Sequence, residues 1–245
     1  SMAVDNSTTT WTGLAARSWD ALGGDAPQDD YDHLLNLLRK RGGRTLDVGC
    51  GTGRLLIRLL REGLDVHGLD TSQEMLSLCR SKAAIERLSP TLIHQSMDRL
   101  RLPEKYETII VPCGTIMLLV DDQRLTRALE CLRDHLTLDG LLWLNVFGPM
   151  QPPRPAPGEW VHRASGMMPD GSVVAMDIKV ESFDRDTNVI QSRRRYTRSR
   201  GGDTLEVEYL QDAYRWYAPD CLRELIASAG FVEINVSGDY GSGKV

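Results

Sequence analysis

An excess of positive charge, long apolar runs and ordered cysteine spacings are all missing from this 245-residue chain. Lys and Arg number 29 against 34 Asp and Glu, a net charge of -5, which argues against a general nucleic-acid binder. No apolar run approaches the roughly 18–20 residues of a membrane span, so no membrane partner is expected. The five cysteines, at 50, 79, 113, 131 and 221, are odd in number and carry neither a metal-ligand spacing nor a disulfide framework. They point to a reducing, cytoplasmic compartment and to no metal. No secretory leader is read at the start, where Ser1-Met2 has the look of a cloning remnant. With 41% hydrophobic and 26% charged residues, the chain can core one domain or two small ones.

Arg44 to Val48 reads as a short buried strand and Leu55 to Leu60 as the start of a leucine-rich helix. Gly49, Gly51 and Gly53 lie between them. Such a turn lets backbone approach a ligand where a Cβ would collide, with a helix N-terminus behind it. Arg54 breaks the G-x-G-x-x-G dinucleotide fingerprint, and the Gly-Lys-Ser/Thr of a P-loop is absent. What is left is Asp47, two residues before Gly49, followed by Gly-Cys-Gly-Thr-Gly. A tight turn without a ligand is the bland alternative.

This stretch resembles motif I of the class I S-adenosylmethionine-dependent methyltransferases. The resemblance implies that Gly49, Cys50, Gly51, Thr52 and Gly53 pack against the methionyl part of the cofactor, while Asp47 helps hold its amino end. It also implies a lid over the cofactor from residues 1–43, with an aromatic near Trp19. Here the pattern predicts helices over Trp11–Leu22 and Tyr31–Arg41; core packing of Trp11 and Trp19 is an equal reading.

From residue 44 strands and helices alternate at βαβ spacing. The strand Leu64–Leu69 delivers Asp70 about 20 residues past the glycine turn, where an acid accepts hydrogen bonds from a ribose diol. Thr71-Ser72-Gln73-Glu74 reads as a capping box with Thr71 as N-cap. The helix behind it runs to about Leu88 and turns Met75, Leu76, Leu78 and Cys79 inward. Thr71 and Met75 count with the cofactor residues. After a third strand, Thr91–Gln95, the family places an acid for the adenine amino group. Ser96 stands there, with Met97 beside it; either Asp98 replaces the acid from a shifted register, or Ser96 and the Met97 backbone suffice. A fourth strand, Tyr106–Val111, ends in Pro112-Cys113-Gly114-Thr115. By the resemblance Pro112 and Gly114 lie against the sulfonium and Thr115 opens onto the acceptor. Cys113, with no basic neighbour in sequence, reads as a buried, inert thiol. A helix from Asp121 to about Gly140 and a fifth strand, Leu141–Phe147, follow.

Residues 149–158 hold five of the 11 prolines and read as a stiff connection. Three β-like runs come next, Ser172–Phe183, Val189–Arg200 and Thr204–Tyr217, then a helix opened by Pro219 and a strand at Phe231–Val236. The fold class expected is α/β: a Rossmann-like, mostly parallel sheet of the seven-stranded type with helices on both faces, plus an antiparallel β insertion after the fifth strand. Only Gly238–Val245 is left for the last hairpin strand. The expected domains are the lid (1–43), a cofactor-binding domain (44–148 and 218–245) and an acceptor-side cap (149–217).

Further likenesses, Leu-Pro-x-x-Tyr, the Asp139-Gly140 turn and Arg215-Trp216-Tyr217 before the last helix, resemble the small-molecule branch, including sugar N-methyltransferases of natural-product pathways. They imply methyl transfer to a small amine or hydroxyl, with a homodimer conceivable. Candidate acceptor-side groups are His162, Tyr214 and Tyr217, with Trp19 as a wall. His67 and His94 read as structural, and His33 and His135 carry no signal. The arginines between 193 and 200 read either as an anion clamp or as a solvated face opposite acids such as Glu206 and Glu208. A non-catalytic cofactor-binding regulatory module is the second functional class; an RNA methyltransferase is the third.

Overall fold

The computed structural model describes residues 9–23, 28–147 and 157–238, without the side chains of 28–30. The chain divides into two compact units. One comprises residues 26–116, 122–146 and 217–245, the other 1–25, 117–121 and 147–216.

The larger unit is a five-stranded, wholly parallel sheet. Its elements are α2 (Gln28–Arg41), β1 (Thr45–Val48), α3 (Leu56–Arg61), β2 (Val66–Asp70), α4 (Gln73–Ile85), β3 (Leu92–His94), β4 (Tyr106–Val111), α5 (Asp122–Asp134), β5 (Leu136–Leu144) and α6 (Pro219–Ser228). Every residue of β1 is buried, as a central strand covered on both faces requires. Leu34 and Leu38 of α2, Leu56 and Leu59 of α3, and Leu76 and Cys79 of α4 share one apolar core. The strand order β3-β2-β1-β4-β5 reverses direction between β1 and β4, so the carboxyl ends of those two strands open the crevice where ligands of such sheets bind.

Several boundaries move from the sequence expectation for identifiable reasons. The cap of α4 is Ser72, not Thr71: Ser72 is extended and its Oγ accepts from Met75 N at 3.2 Å, which leaves Glu74 one position short of N3. The helix ends at Ile85, before Leu88. Helix α5 stops at Asp134, because His135 turns its ring back to Cys131 O (2.7 Å) and accepts from Leu102 N (3.0 Å). Leu136 therefore begins β5, and a register shift between Tyr106 and Thr108 absorbs the extra residues before Leu141. Phe231–Val236 forms no strand, and Glu233 there has a φ of +53°. The sheet thus has five strands among the described residues. Residues 239–245, expected to close the hairpin, lie outside them, as do 148–156 of the proline-rich connection.

The smaller unit is a four-stranded antiparallel meander, β6 (Trp160–Met167), β7 (Val173–Asp184), β8 (Val189–Arg200) and β9 (Asp203–Arg215), with α1 (Gly13–Arg17) on one face. Leu14, Ala15, Val174 and Tyr196 form its core, with Trp11, Met176 and Leu210 packed around them. Helix α1 is much shorter than the predicted Trp11–Leu22. Gly13 enters it at a φ of +58°, and Ser18 Oγ donates back to Leu14 O at 2.6 Å where it ends. Strand β6 escapes a period-2 reading because of a bulge. His162 faces Asp177 and Ala164 faces Met176, so Arg163 is the extra residue.

Asp98 and Arg124 fasten the short turn after β3 to α5. Asp98 is buried, with Arg124 Nε 3.0 Å from one carboxylate oxygen and Ser96 Oγ donating to the other. Burial pushes its pKa up, but these partners outweigh that and hold it below the usual carboxylate range. Asp98→Ala strips a mostly buried guanidinium of this partner and should cost about 2–4 kcal/mol by urea unfolding. A loss within 0.5 kcal/mol, on the order of a surface substitution, would show that the pair anchors nothing.

Candidate functional site

The glycine turn after β1 is held from the end of β2. Gly49 and Cys50 both donate to Leu69 O, at 2.7 and 3.1 Å. Asp70 then bridges two loops: one oxygen accepts from Gly51 N and the other from Ser72 N, each at 2.8 Å. Burial raises the Asp70 pKa, and these backbone donors offset part of the rise. Lys82 Nζ, 3.3 Å from Thr52 Oγ1, ties the far side of the turn to α4.

The three glycines differ in what surrounds them. A Cβ on Gly49 would come within 2.7 Å of Thr115, and one on Gly53 within 2.5 Å of Cys79 Sγ. Both are packing glycines, between the loops after β1 and β4 and between α3 and α4. A Cβ on Gly51, whose φ is +54°, would meet only the end of Met75, at 3.3 Å. Its bare face is therefore the one available to a ligand.

Asp47 is the group that calls for a ligand. It is 1% exposed, and neither carboxylate oxygen has a hydrogen-bond partner among the described residues. Burial pushes its pKa up to about 7; Arg54 opposes this and Asp70 adds to it. An orphaned buried carboxyl beside backbone that admits close approach fits a ligand bringing an ammonium group.

After β4, Gly114 N donates to Asn145 Oδ1 at 2.9 Å, and Thr115 Oγ1 donates to Pro112 O at 2.7 Å. Asn145 directly follows β5 at a carboxyl end of the sheet, a positional signal that sequence reading missed. Cys113 is exposed, at a φ of +57° and in contact with Arg54 Nη2, which corrects its reading as a buried thiol. Cys50 is buried and its thiol is pushed well up by desolvation. Met97 and Ser96 sit in the turn after β3, where Ser96 is engaged with Asp98. His94 is tied to Thr71 O at 3.0 Å and His67 to Tyr106 OH at 3.1 Å, as structural roles require.

The acceptor-side candidates do not converge. His162 Nδ1 lies 3.1 Å from Asp177 Oδ1, and its Nε2 lies 3.1 Å from Ser165 Oγ, a base with an orienting acid. The bulge at Arg163 puts His162 and Ser165 on one face of the meander. Tyr214 pairs with Ile190 on the opposite face, the one that carries α1, 3.4 Å from Arg194 Nη2. Burial pushes its phenol up to about 12, so it stays neutral. Trp19 rests edge-on against Trp11, with centroids 5.8 Å apart, and Tyr217 is buried. The arginine run is paired within the unit: Arg194 with Asp212 (2.6 Å), Arg195 with Asp177 (2.7 Å), and Arg198 and Arg200 with Asp170. A clamp is not needed to explain it.

Asp47 gives the ligand-free protein a pH signature. Its folded pKa lies above the roughly 3.9 of an unfolded aspartate, so the folded state holds the extra proton. Stability from this group is present at low pH and is lost as pH rises from about 4 through about 7. Asp47→Asn should flatten that slope and melt higher than the wild type at pH 8, in thermal scans from pH 5 to 8. Parallel curves for the two proteins would mean that Asp47 is already paired.

A family model described as a methyltransferase domain matches residues 45–140. The ubiquinone biosynthesis O-methyltransferase of Photorhabdus laumondii is 33% identical over 117 residues, 44% of this chain and 48% of that protein. The dTDP-3-amino-3,4,6-trideoxy-alpha-D-glucopyranose N,N-dimethyltransferase of Streptomyces venezuelae is 28% identical over 151 residues, 61% of this chain and 60% of that protein. The chain spans about half the length of the curated relatives it matches. A solved S-adenosylmethionine-dependent methyltransferase from Clostridium acetobutylicum superposes with a TM-score of 0.76, over 91% of this chain and 88% of that one, at 17% identity. Residues 45–140 are thus similar to a methyltransferase domain, and the chain shares the fold of a solved S-adenosylmethionine-dependent methyltransferase.

Proposed function

We propose that this protein transfers a methyl group from S-adenosylmethionine to a small-molecule acceptor by in-line displacement. The observation that carries the reading is the orphaned Asp47 carboxyl under the glycine turn, with Asp70 at the end of the neighbouring strand. Bound S-adenosylmethionine supplies a methyl group already activated by a positive sulfur.

The chain's part is placement. Asp47 offers its negative charge to the amino end of the cofactor, and the bare face of Gly51 admits the cofactor's chain. Asp70 has lone pairs left for the ribose hydroxyls after holding Gly51 and Ser72. Ser96 and Met97 flank the adenine, and the loop Pro112–Thr115 faces the sulfur. Holding the acceptor in line and excluding water then supply most of the acceleration. A neutral amine needs no resident base, because the methylated nitrogen sheds its proton to solvent. The N,N-dimethyltransferase named above is a relative of that kind. A hydroxyl acceptor is the second reading, favoured by His162 with its Asp177 orienter, and the Photorhabdus relative acts in that class.

Calorimetry should find micromolar binding of S-adenosylmethionine, in the range common for metabolite sites. Gly51→Val should abolish it, since the branched side chain occupies the ligand's path and strains a positive φ. Undiminished binding by that variant would falsify the placement. Labelled cofactor offered with a panel of small amines and phenols should mark an amine, with His162→Ala retaining most of the activity. Transfer to phenols alone, lost in His162→Ala, would reverse the choice of acceptor atom. Trp19→Ala should lower turnover of the true acceptor about tenfold or more while leaving cofactor affinity intact. Equal loss of both would make Trp19 a fold residue.

A further inference from the structure

We infer that Cys113 is a peroxide-sensitive thiol whose oxidation to a sulfenic acid closes the crevice between β1 and β4, an inference that rests on the cofactor reading of that crevice. The thiol belongs to a contact that spans it. Cys113 follows β4 by two residues, Arg54 lies in the turn after β1, and Arg54 Nη2 donates to Cys113 Sγ. Both segments leave the carboxyl ends of strands paired in parallel, with Asp47 opposite Ile110. They also pack together at a second point, since a Cβ on Gly49 would come within 2.7 Å of the Thr115 side chain. The loop is pinned on either side of the sulfur: Gly114 N donates to Asn145 Oδ1 at 2.9 Å, and Thr115 N to Pro112 O at 3.1 Å.

Cys113 differs from the other cysteines in what governs thiol reactivity. Cys50 and Cys79 are buried, where desolvation pushes the Cys79 thiol up to about 12 and the Cys50 thiol well up. Burial raises the Cys131 thiol as well. Cys113 and Cys221 are exposed. At Cys113 a guanidinium touches the sulfur, which favours the thiolate, the form that attacks. Cys221, on α6, serves as an internal control.

A ligand in this crevice is called for on separate grounds. Asp47, one residue before the carboxyl end of β1, is 1% exposed, and neither of its oxygens has a partner among the described residues. The charge of Arg54 acts on that carboxyl. Arg54 is therefore common to the carboxyl that awaits a cation and to the exposed thiol. In the oxidation, the thiolate attacks one oxygen of hydrogen peroxide. An S–O bond forms, the O–O bond breaks, and hydroxide leaves to take up the proton that the thiol gave to solvent. The sulfur is oxidised and the peroxide is reduced to water. The new oxygen accepts from the Arg54 guanidinium in a charge-assisted bond, so the link between the two loops tightens across the ligand's path.

Hydrogen peroxide with dimedone trapping and peptide mass spectrometry should label Cys113 about threefold or more faster than Cys221. After peroxide alone, removed with catalase, calorimetry should find S-adenosylhomocysteine bound to the full chain about tenfold or more weakly, and dithiothreitol should restore the binding. That reversal separates the thiol from Met75 beside Gly51, whose sulfoxide needs an enzyme to reverse. In Cys113→Ser, peroxide should leave the affinity at that variant's own untreated value. Cys113→Gly, suited to the left-handed backbone, takes its place should the serine variant not fold. An untreated wild type that binds no S-adenosylhomocysteine overturns the cofactor reading and the closure with it. Normal binding that peroxide leaves unchanged overturns the closure alone, as does a loss of binding that persists in Cys113→Ser. Labelling of Cys221 ahead of Cys113 overturns the assignment of the reactive thiol.

Discussion

The bridge made by Asp70 sets the shape of the candidate cofactor site. One carboxylate receives the Gly51 amide from the turn after β1 and the Ser72 amide at the start of α4. Two loops that the sheet merely brings near each other are thereby fixed against each other. The glycines can then adopt left-handed backbone without the turn wandering, because its start is bonded to Leu69 O, its middle to Asp70 and its end, through Gly53 N, to Cys50 O. The same oxygens that could meet a ribose are already half occupied. Asp70 therefore serves the fold before any ligand arrives, and the proposed ribose contact would use the lone pairs that remain.

The two sheets answer the problem of burial differently. In the parallel sheet both faces are covered, so β1 is buried throughout and β4 ends in the apolar run Ile109–Val111. Polar groups there must be justified one at a time, and among the described residues the Asp47 carboxyl and the Thr108 hydroxyl have no hydrogen-bond partner. In the antiparallel sheet ions are distributed over both faces and paired across strands, with Arg194–Asp212 on one face and Arg195–Asp177 on the other. Cross-strand pairing of this kind makes a dense arginine run compatible with a stable sheet, without any anion from outside.

The parts of the fold legible in sequence are those where one physical requirement dominates. The glycine turn, Asp70, the buried strand Tyr106–Val111 and Pro219 at the head of α6 each answer a single demand, and each lies where it was read. Illegible parts are those where a local bond competes with the pattern. The Ser72 hydroxyl captured the cap from Thr71, the His135 ring ended α5 early, and a bulge at Arg163 hid β6. The left-handed backbone at Cys113 had no sequence signal at all, since that conformation is one that glycine or asparagine would announce. Among site residues, position on strand ends was readable, whereas Asn145 and Arg54 act through contacts between loops far apart in sequence.

Asp47 shows why a site can be recognised from what it costs. A carboxyl buried without a partner is stabilised only by holding a proton, and its pKa near 7 is the measure of that penalty. Leucine or asparagine at the same place in β1 would relieve much of it, and nothing in the packing of the strand demands an acid. Nor does Arg54 redeem it, because the guanidinium lowers the penalty without bonding to either oxygen. A cation brought by a ligand would remove the penalty, because the carboxyl could then ionise against it. The unfavourable term in the empty protein thus becomes a favourable difference on binding, because the ligand is credited with relieving it. The same logic orders the three glycines: two are required by packing in the empty fold, while beside Gly51 only the flexible end of Met75 comes near among the described residues. An unmet charge and an unfilled contact, side by side at the switch point of the sheet, describe a ligand with an ammonium group and a slender chain.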